Sequence, residues 1–278
     1  MVFGRLKTGF GMARRSGNVL RDHPKLLVFP LVGGLSGIAF LATLFGGVFV
    51  AGVFDDPGPA LYAALFVAYL VETFVASFFS AGLIAATRTA LDGGEPSVRE
   101  GLRVAWNHKA PLLAWSVIAA VVGVIIQMIE SNDNAVARIL ASLFAVAWGV
   151  MTYFVVPVIV FRDPSVRGMF EESARTFKDT WGESIGAMGA INIVTFLFAL
   201  AGVAVAAGVF FLVPAAGSAR LILTVLVGGP AIIFGFLVGK TLTGVAKTAL
   251  YVYATENESP EYFEDIDFAG MGGNGGRI

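Results

Sequence analysis

Long apolar runs separated by short polar stretches dominate the chain. "LLVFPLVGGLSGIAFLATLFGGVFVAGVF" begins at Leu26 and stops at the turn-like "DDPGP" of residues 55–59. Five more runs cover about 60–91, 111–129, 136–161, 184–213 and 219–254. A span needs about 20 apolar residues to cross about 30 Å of hydrocarbon, and all six runs meet that length. Continuous runs of this kind predict helices, because barrel strands alternate apolar and polar positions over about 10 residues. The expected fold is therefore all-α, a polytopic bundle of six transmembrane helices.

The polar stretches have a helical period of their own. In "PSVREGLRVAWNHKAPLLAW", from Pro96, the residues Val98, Leu102, Ala105 and Trp106 share one face, and Arg99, Glu100, Arg103 and Asn107 point away. Ser97 and Glu100 have capping-box spacing. "PSVRGMFEESARTFKDTWGE", from Pro164, places Val166, Met169, Phe170, Ala174, Phe177 and Trp181 on a stripe. The N-terminal segment does the same with Phe3, Leu6, Phe10, Ala13, Gly17 and Leu20, flanked by Lys7, Arg14 and Arg21, whose long stems can snorkel. Three amphipathic helices are expected at the cytoplasmic interface. The twofold "PSVR", with the echoes "HPKLL"/"HKAPLL" and "TRTAL"/"AKTAL", suggests a threefold unit of interfacial helix plus hairpin over about 3–91, 96–161 and 164–254. Basic amphipathic helices also recur beside membranes without any repeat. Residues 1–254 then form one membrane domain, and 255–278 an acidic, glycine-rich tail, either solvated or in contact with the basic helices.

Composition agrees: 56% of residues are hydrophobic and only 14% charged, outside the range of soluble domains. The N-terminal segment is expected to stay as a membrane anchor, because a basic, mixed stretch precedes a first run far longer than a signal-peptide core. Lys and Arg collect in the N-terminal segment, in the connection carrying Arg88, Arg99, Arg103 and Lys109, and in that carrying Arg162, Arg167, Arg175 and Lys178. The opposite connections hold Arg138 and Arg220. Both termini are thus expected in the cytoplasm. A near-neutral net charge suggests no nucleic-acid partner; membrane lipids are the expected partners, with Arg14, Arg15, Arg99, Arg103 and Arg175 on their headgroups.

Candidate chemistry is sparse. Without cysteine, thiolate nucleophiles and Cys-ligated metals are excluded. His23 and His108 lack a helically spaced carboxylate or second histidine, so neither a metal site nor a base–nucleophile pair is expected. No cofactor is implied. The intramembrane polar candidates are Glu72, Ser80, Gln127, Asn192 and Lys240. Glu72 is expected near the midplane, with Thr73, Ala76, Ser77 and Ser80 sharing or bordering a face turned into the bundle. Aligning Arg88 with Lys247 puts Glu72 and Lys240 about 14 Å apart in depth, so no direct bond is expected. Small residues four apart, including Gly33 and Gly37, Ala119 and Gly123, Ala141, Ala145 and Gly149, Gly182 and Gly186, and Gly235 and Gly239, allow close helix approach and self-association. Pro30, Pro157 and Pro230 can kink spans.

The stretches "HPKLLVFPLVGG", "ALDGGEPSVREGLRVAW", "TYFVVPVIVF" with "FEESARTFKDTWGE", and "KTALYVYATENESPEYF" together resemble a family of prokaryotic integral membrane proteins of unknown function, over roughly residues 3–263. The architecture is also similar to the membrane domain attached to some glycerophosphodiester phosphodiesterases. The resemblance implies a membrane bundle and carries no catalytic residues. Two functions remain open: a non-enzymatic scaffold, assembly or lipid-organising protein that forms homo-oligomers, or a transporter or channel for a small or amphiphilic solute using Glu72, its small-molecule ligand unknown. An intramembrane enzyme is a third.

Overall fold

A computed structural model of the chain describes residues 2–54, 58–131, 134–181, 185–212, 218–256 and 258–266, with side chains from Phe10 to Lys178 and again from Phe196, apart from positions 199 and 219. All regular structure among them is helical. Helix α1 (Val2–Asp22) leads through a 3-10 turn (Pro24–Leu27) into α2 (Val28–Val50), followed by α3 (Pro59–Leu91), α4 (Val98–Asn107), α5 (Lys109–Glu130), α6 (Ala135–Met151) and α7 (Val155–Arg162). Then come α8 (Val166–Trp181), α9 (Ile185–Leu212), α10 (Ser218–Leu223), a π-helical turn (Thr224–Gly228), α11 (Gly229–Glu256) and a 3-10 turn (Glu261–Phe263).

Five helical stretches are long and apolar enough to cross a membrane: Pro24–Val50, Pro59–Leu91, Lys109–Glu130, Ala135–Arg162 and Arg220–Glu256. That is the make-up of a multi-pass membrane protein. The fifth expected run, 184–213, coincides with α9, of which the apolar stretch Phe196–Leu212 stands out. The chain divides by contacts into two compact units, one of residues 1–27, 87–96 and 179–278, the other of 28–86 and 97–178.

In the second unit, α2 and α3 pack through glycines. A methyl on Gly33 would stand 3.0 Å from the Phe79 ring, and one on Gly37 would stand 2.7 Å from a Glu72 carboxylate oxygen. Both glycines are buried, as their four-residue spacing suggests. Helix α4 rests on the same hairpin through Gly101, where a methyl would meet the Gly82 carbonyl oxygen and the Phe29 ring, each at 2.6 Å. Trp115 of α5 stacks on Trp148 of α6 at 5.9 Å, and Phe170 of α8 closes the cluster at 5.9 and 5.8 Å.

Both "PSVR" serines act as helix N-caps. Ser97 Oγ accepts from the Glu100 N–H at 3.5 Å, and Ser165 Oγ accepts from the Gly168 N–H at 3.1 Å, satisfying first-turn donors that have no intrahelical partner. The buried faces only partly follow the expected stripes. On α4, Gly101 and Ala105 are buried, whereas Trp106 is 60% exposed. On α8, Met169, Ser173, Thr176 and Phe177 are buried and Val166 is exposed; Trp181 lies outside the described side chains.

The fourth run is broken rather than straight. Helix α6 ends at Met151 and α7 begins at Val155. Pro157 has no N–H to give the Tyr153 carbonyl, so a regular ladder cannot continue through this point. Ser173 of α8, with no exposed surface, fills the gap: its Oγ accepts from the Phe154 N–H at 3.0 Å and donates to the Met151 carbonyl at 2.7 Å. Non-helical backbone at membrane depth is tolerated where protein groups satisfy it in this way. Pro230 stands in the first turn of α11, one residue past the π-helical turn Thr224–Gly228. Pro30 lies within α2, which runs unbroken around it.

The first unit joins α1, α9 and α11. A methyl on Gly202 would stand 2.6 Å from Ile232 Cα, and one on Gly228 would overlap Ala206. On α1 the buried residues are Met12, Ser16, Val19 and Leu20, and of these four Leu20 belongs to the expected interfacial stripe. Phe10 is 51% exposed, while Phe3 and Leu6 lie outside the described side chains. Helix α1 packs on α9 and α11. At the end of α3, Arg88 reaches Glu256 with Nη1 at 2.6 Å and Nη2 at 3.0 Å, and Asp92 with Nε at 2.8 Å. This bidentate geometry ties the ends of α3 and α11.

Candidate functional site

Helix α3 sets the position of Glu72. Gly37 leaves a notch in α2, and the carboxylate fills it; Oε1 is buried without a hydrogen-bond partner among the described residues. The expected polar face is divided, because residues five apart on a helix lie about 140° around the axis. Ser77 faces α5 instead, accepting from Trp115 Nε1–H at 3.0 Å. Ala76 is exposed and Ser80 half-buried. Gln127 is half-buried on α5, and the Asn192 side chain lies outside the described residues. Lys240 is exposed on α11 with Nζ 5.3 Å from the Phe236 ring centre. Glu72 belongs to one compact unit and Lys240 to the other.

The basic residues differ in exposure and in their partners. Arg14, Arg99, Arg103 and Arg175 are exposed; Arg103 pairs with Glu100 at 2.7 Å within its own helix. Lys109 Nζ lies 4.5 Å over the exposed Trp106 ring, a cation–π contact. Arg15 is engaged by the acidic tail: its guanidinium pairs with Asp265. Tyr262 Oη donates to Asp22 at 3.1 Å, its ring meets His23 edge-on at 6.5 Å, and Phe263 is fully buried. Residues 258–266 thus lie against α1. His108 serves its helix end, with Nδ1 2.8 Å from the Val104 carbonyl oxygen.

A cleft of about 430 Å³ between α1 and this segment is lined by Arg15, Asn18, Arg21, Asp22, Glu261 and Tyr262. A second, of about 250 Å³, shares Arg15 and Asn18 and adds Gly11, Arg14, Asp265 and Ile266. The Arg15 hydrogen bond holds the Asp265 carboxyl below its ordinary range. Burial, then the bond to Asp22, push the Tyr262 hydroxyl up. No three His, Asp or Glu side chains gather as a metal site among the described residues.

Sequence reasoning allowed the acidic tail, Asp265 included, to meet the basic helices, but missed the docking residues Tyr262 and Phe263. The available signal was the opposite charge of tail and α1, which does not specify register.

The model of a family of unknown function, DUF6159, matches residues 59–261, so the chain belongs to that family. The match begins at α3 and leaves α1 and α2 outside, a shorter extent than the resemblance over 3–263. Comparison with curated proteins finds no match. Comparison with solved structures finds none either.

Proposed function

We propose that this member of the family is a non-enzymatic, six-span protein of a prokaryotic plasma membrane that organises anionic lipid and assembles with copies of itself at the cytoplasmic surface. What supports this role is the surface of α4, where exposed Trp106 lies under Lys109 on a helix that also carries exposed Arg99 and Arg103. Tryptophan at headgroup level with basic neighbours is a pattern of membrane interfaces, and each basic side chain near an anionic surface adds about 1 kcal/mol of attraction. The paired Ser97 and Ser165 caps favour a repeated helix-plus-hairpin unit, with α9 as the fifth of six spans. The architecture read from the sequence, which resembles the membrane domain of some glycerophosphodiester phosphodiesterases, would be in keeping with lipid-related work.

Retention of phosphatidylglycerol over phosphatidylcholine by the purified protein tests the role. Neutralising Arg99, Arg103 and Arg175 together should lower that preference at least tenfold, and unchanged retention would count against it. Reporter fusions should place both termini and the segments 92–110 and 163–182 in the cytoplasm.

The buried, unpartnered Oε1 of Glu72 favours a second reading, a transporter or channel with a proton-responsive acid. Solute-selective flux in liposomes, lost on Glu72→Gln with the fold intact, would replace the scaffold by the transporter.

A further inference from the structure

Helix α1 carries five basic residues, Arg5, Lys7, Arg14, Arg15 and Arg21, against a single acid, Asp22. The segment lying on it is the reverse: residues 258–266 hold Glu258, Glu261, Glu264 and Asp265 and no basic residue. Three features fix its register. Phe263 is fully buried, and Ile266 Cδ1 lies 3.0 Å from where a methyl on Gly11 would stand. Tyr262 donates to Asp22, so the one acid of α1 is occupied. Asp265 then places a carboxylate on Arg15, with Arg14 and Asn18 on the same cleft wall and Arg21 on the adjoining one.

A headgroup phosphate offers a guanidinium the same pair of charged acceptors as a carboxylate. We propose that the Arg14–Arg15–Asn18–Arg21 surface is a site for the phosphate of anionic lipid headgroups, and that the chain's own Asp265 occupies it until such a surface displaces it. The proposal rests on the lipid-surface role above. The Arg15–Asp265 pair is exposed on both sides, and pairs of that kind exchange readily because water competes for them. Buried Phe263 keeps the segment tethered, which gives Asp265 a high effective concentration at Arg15. A bilayer presenting many headgroups side by side can match that concentration, and dilute phosphate in solution cannot. The lipid surface is therefore the assigned occupant.

The test uses the full chain in nanodiscs and follows amide hydrogen exchange at residues 264–266. Replacing part of the phosphatidylcholine by phosphatidylglycerol should raise exchange there about fivefold as the docked state opens. Millimolar inorganic phosphate in phosphatidylcholine discs should not. Arg15→Gln should give fast exchange in both lipids, and Asp265→Asn should give fast exchange with more phosphatidylglycerol retained. Unchanged exchange on adding phosphatidylglycerol would overturn the site. A rise with inorganic phosphate alone would overturn the lipid assignment, and a lipid response that survives in Arg15→Gln would overturn the role of the pair. If the Arg99, Arg103 and Arg175 variant loses lipid preference while tail exchange ignores lipid, only this inference fails. If neither responds, the lipid-organising role fails with it.

Discussion

The hydroxyl of Ser173 accepts the Phe154 N–H at 3.0 Å and donates to the Met151 carbonyl at 2.7 Å, so an amphipathic helix completes the hydrogen bonding of a broken span. Ser173→Ala removes an acceptor and a donor at a buried site, which costs about 1–3 kcal/mol. Equilibrium unfolding in mild detergent should show that loss. The exposed cap variant Ser97→Ala should cost about 1 kcal/mol. Equal, negligible effects would mean that the break is held by other contacts.

Gly101 is a point of backbone contact. Its missing methyl would stand 2.6 Å from the Gly82 carbonyl oxygen, so Gly101→Ala should destabilise by about 1–3 kcal/mol through overpacking. Gly149, with nothing within 4 Å of an added methyl, is the control. There alanine should be neutral or stabilise by up to about 1 kcal/mol. Thermal unfolding of both variants makes the comparison.

Glu72 and Gly37 are coupled by shape. In Gly37→Ala the new methyl would lie 2.7 Å from Oε2, at a cost of about 1–3 kcal/mol. Made in a Glu72→Ala background, the same substitution should cost at least about 1 kcal/mol less, as expected for residues in contact. Additive effects in the double-mutant cycle would place the carboxylate elsewhere.

The docked tail should respond to pH at both extremes. Arg15, with Arg14 nearby, lowers the folded pKa of Asp265. Its contribution is complete above the ordinary aspartate value of about 4 and is lost as pH falls through the lower folded value. Tyr262 has its folded pKa raised by burial, by its bond to Asp22, and by the charges of Asp22, Glu261 and Glu95. Its contribution is complete below the ordinary tyrosine value of about 10 and is lost as pH rises through the higher folded value. Protection factors at 264–266, which remove the intrinsic pH dependence of exchange, should be flat between about pH 5 and 9. A fall near neutrality would assign the contact to other groups.

Much of the architecture is written in run lengths. Five apolar runs became span-length helices because hydrocarbon demands continuous internal hydrogen bonding, and the runs end at turn residues. The serine of each "PSVR" caps a helix because first-turn N–H groups need an acceptor wherever the helix sits. Gly33, Gly37, Gly235 and Gly239 are buried as four-residue spacing suggested, whereas Gly149, on the same spacing with Ala141 and Ala145, is exposed with nothing within 4 Å of an added methyl.

Rotation, partners and register came only with the tertiary structure. In a span every face is apolar, so hydropathy does not separate a lipid-facing side from a packed one. The division of Glu72 from Ser77, toward α2 and α5, was therefore not readable. On α1 the stripe through Phe10 and Ala13 marked an interfacial face, while the burial of Met12, Ser16 and Val19 was set by the packed unit. Pro157 announced a disturbed ladder, but nothing local to it pointed to Ser173, whose contact depends on how α8 folds back on the break. Likewise the tail's charge was plain, while its seat on Arg15 and Asp22 required Phe263 to find a buried position, and burial belongs to the assembled fold.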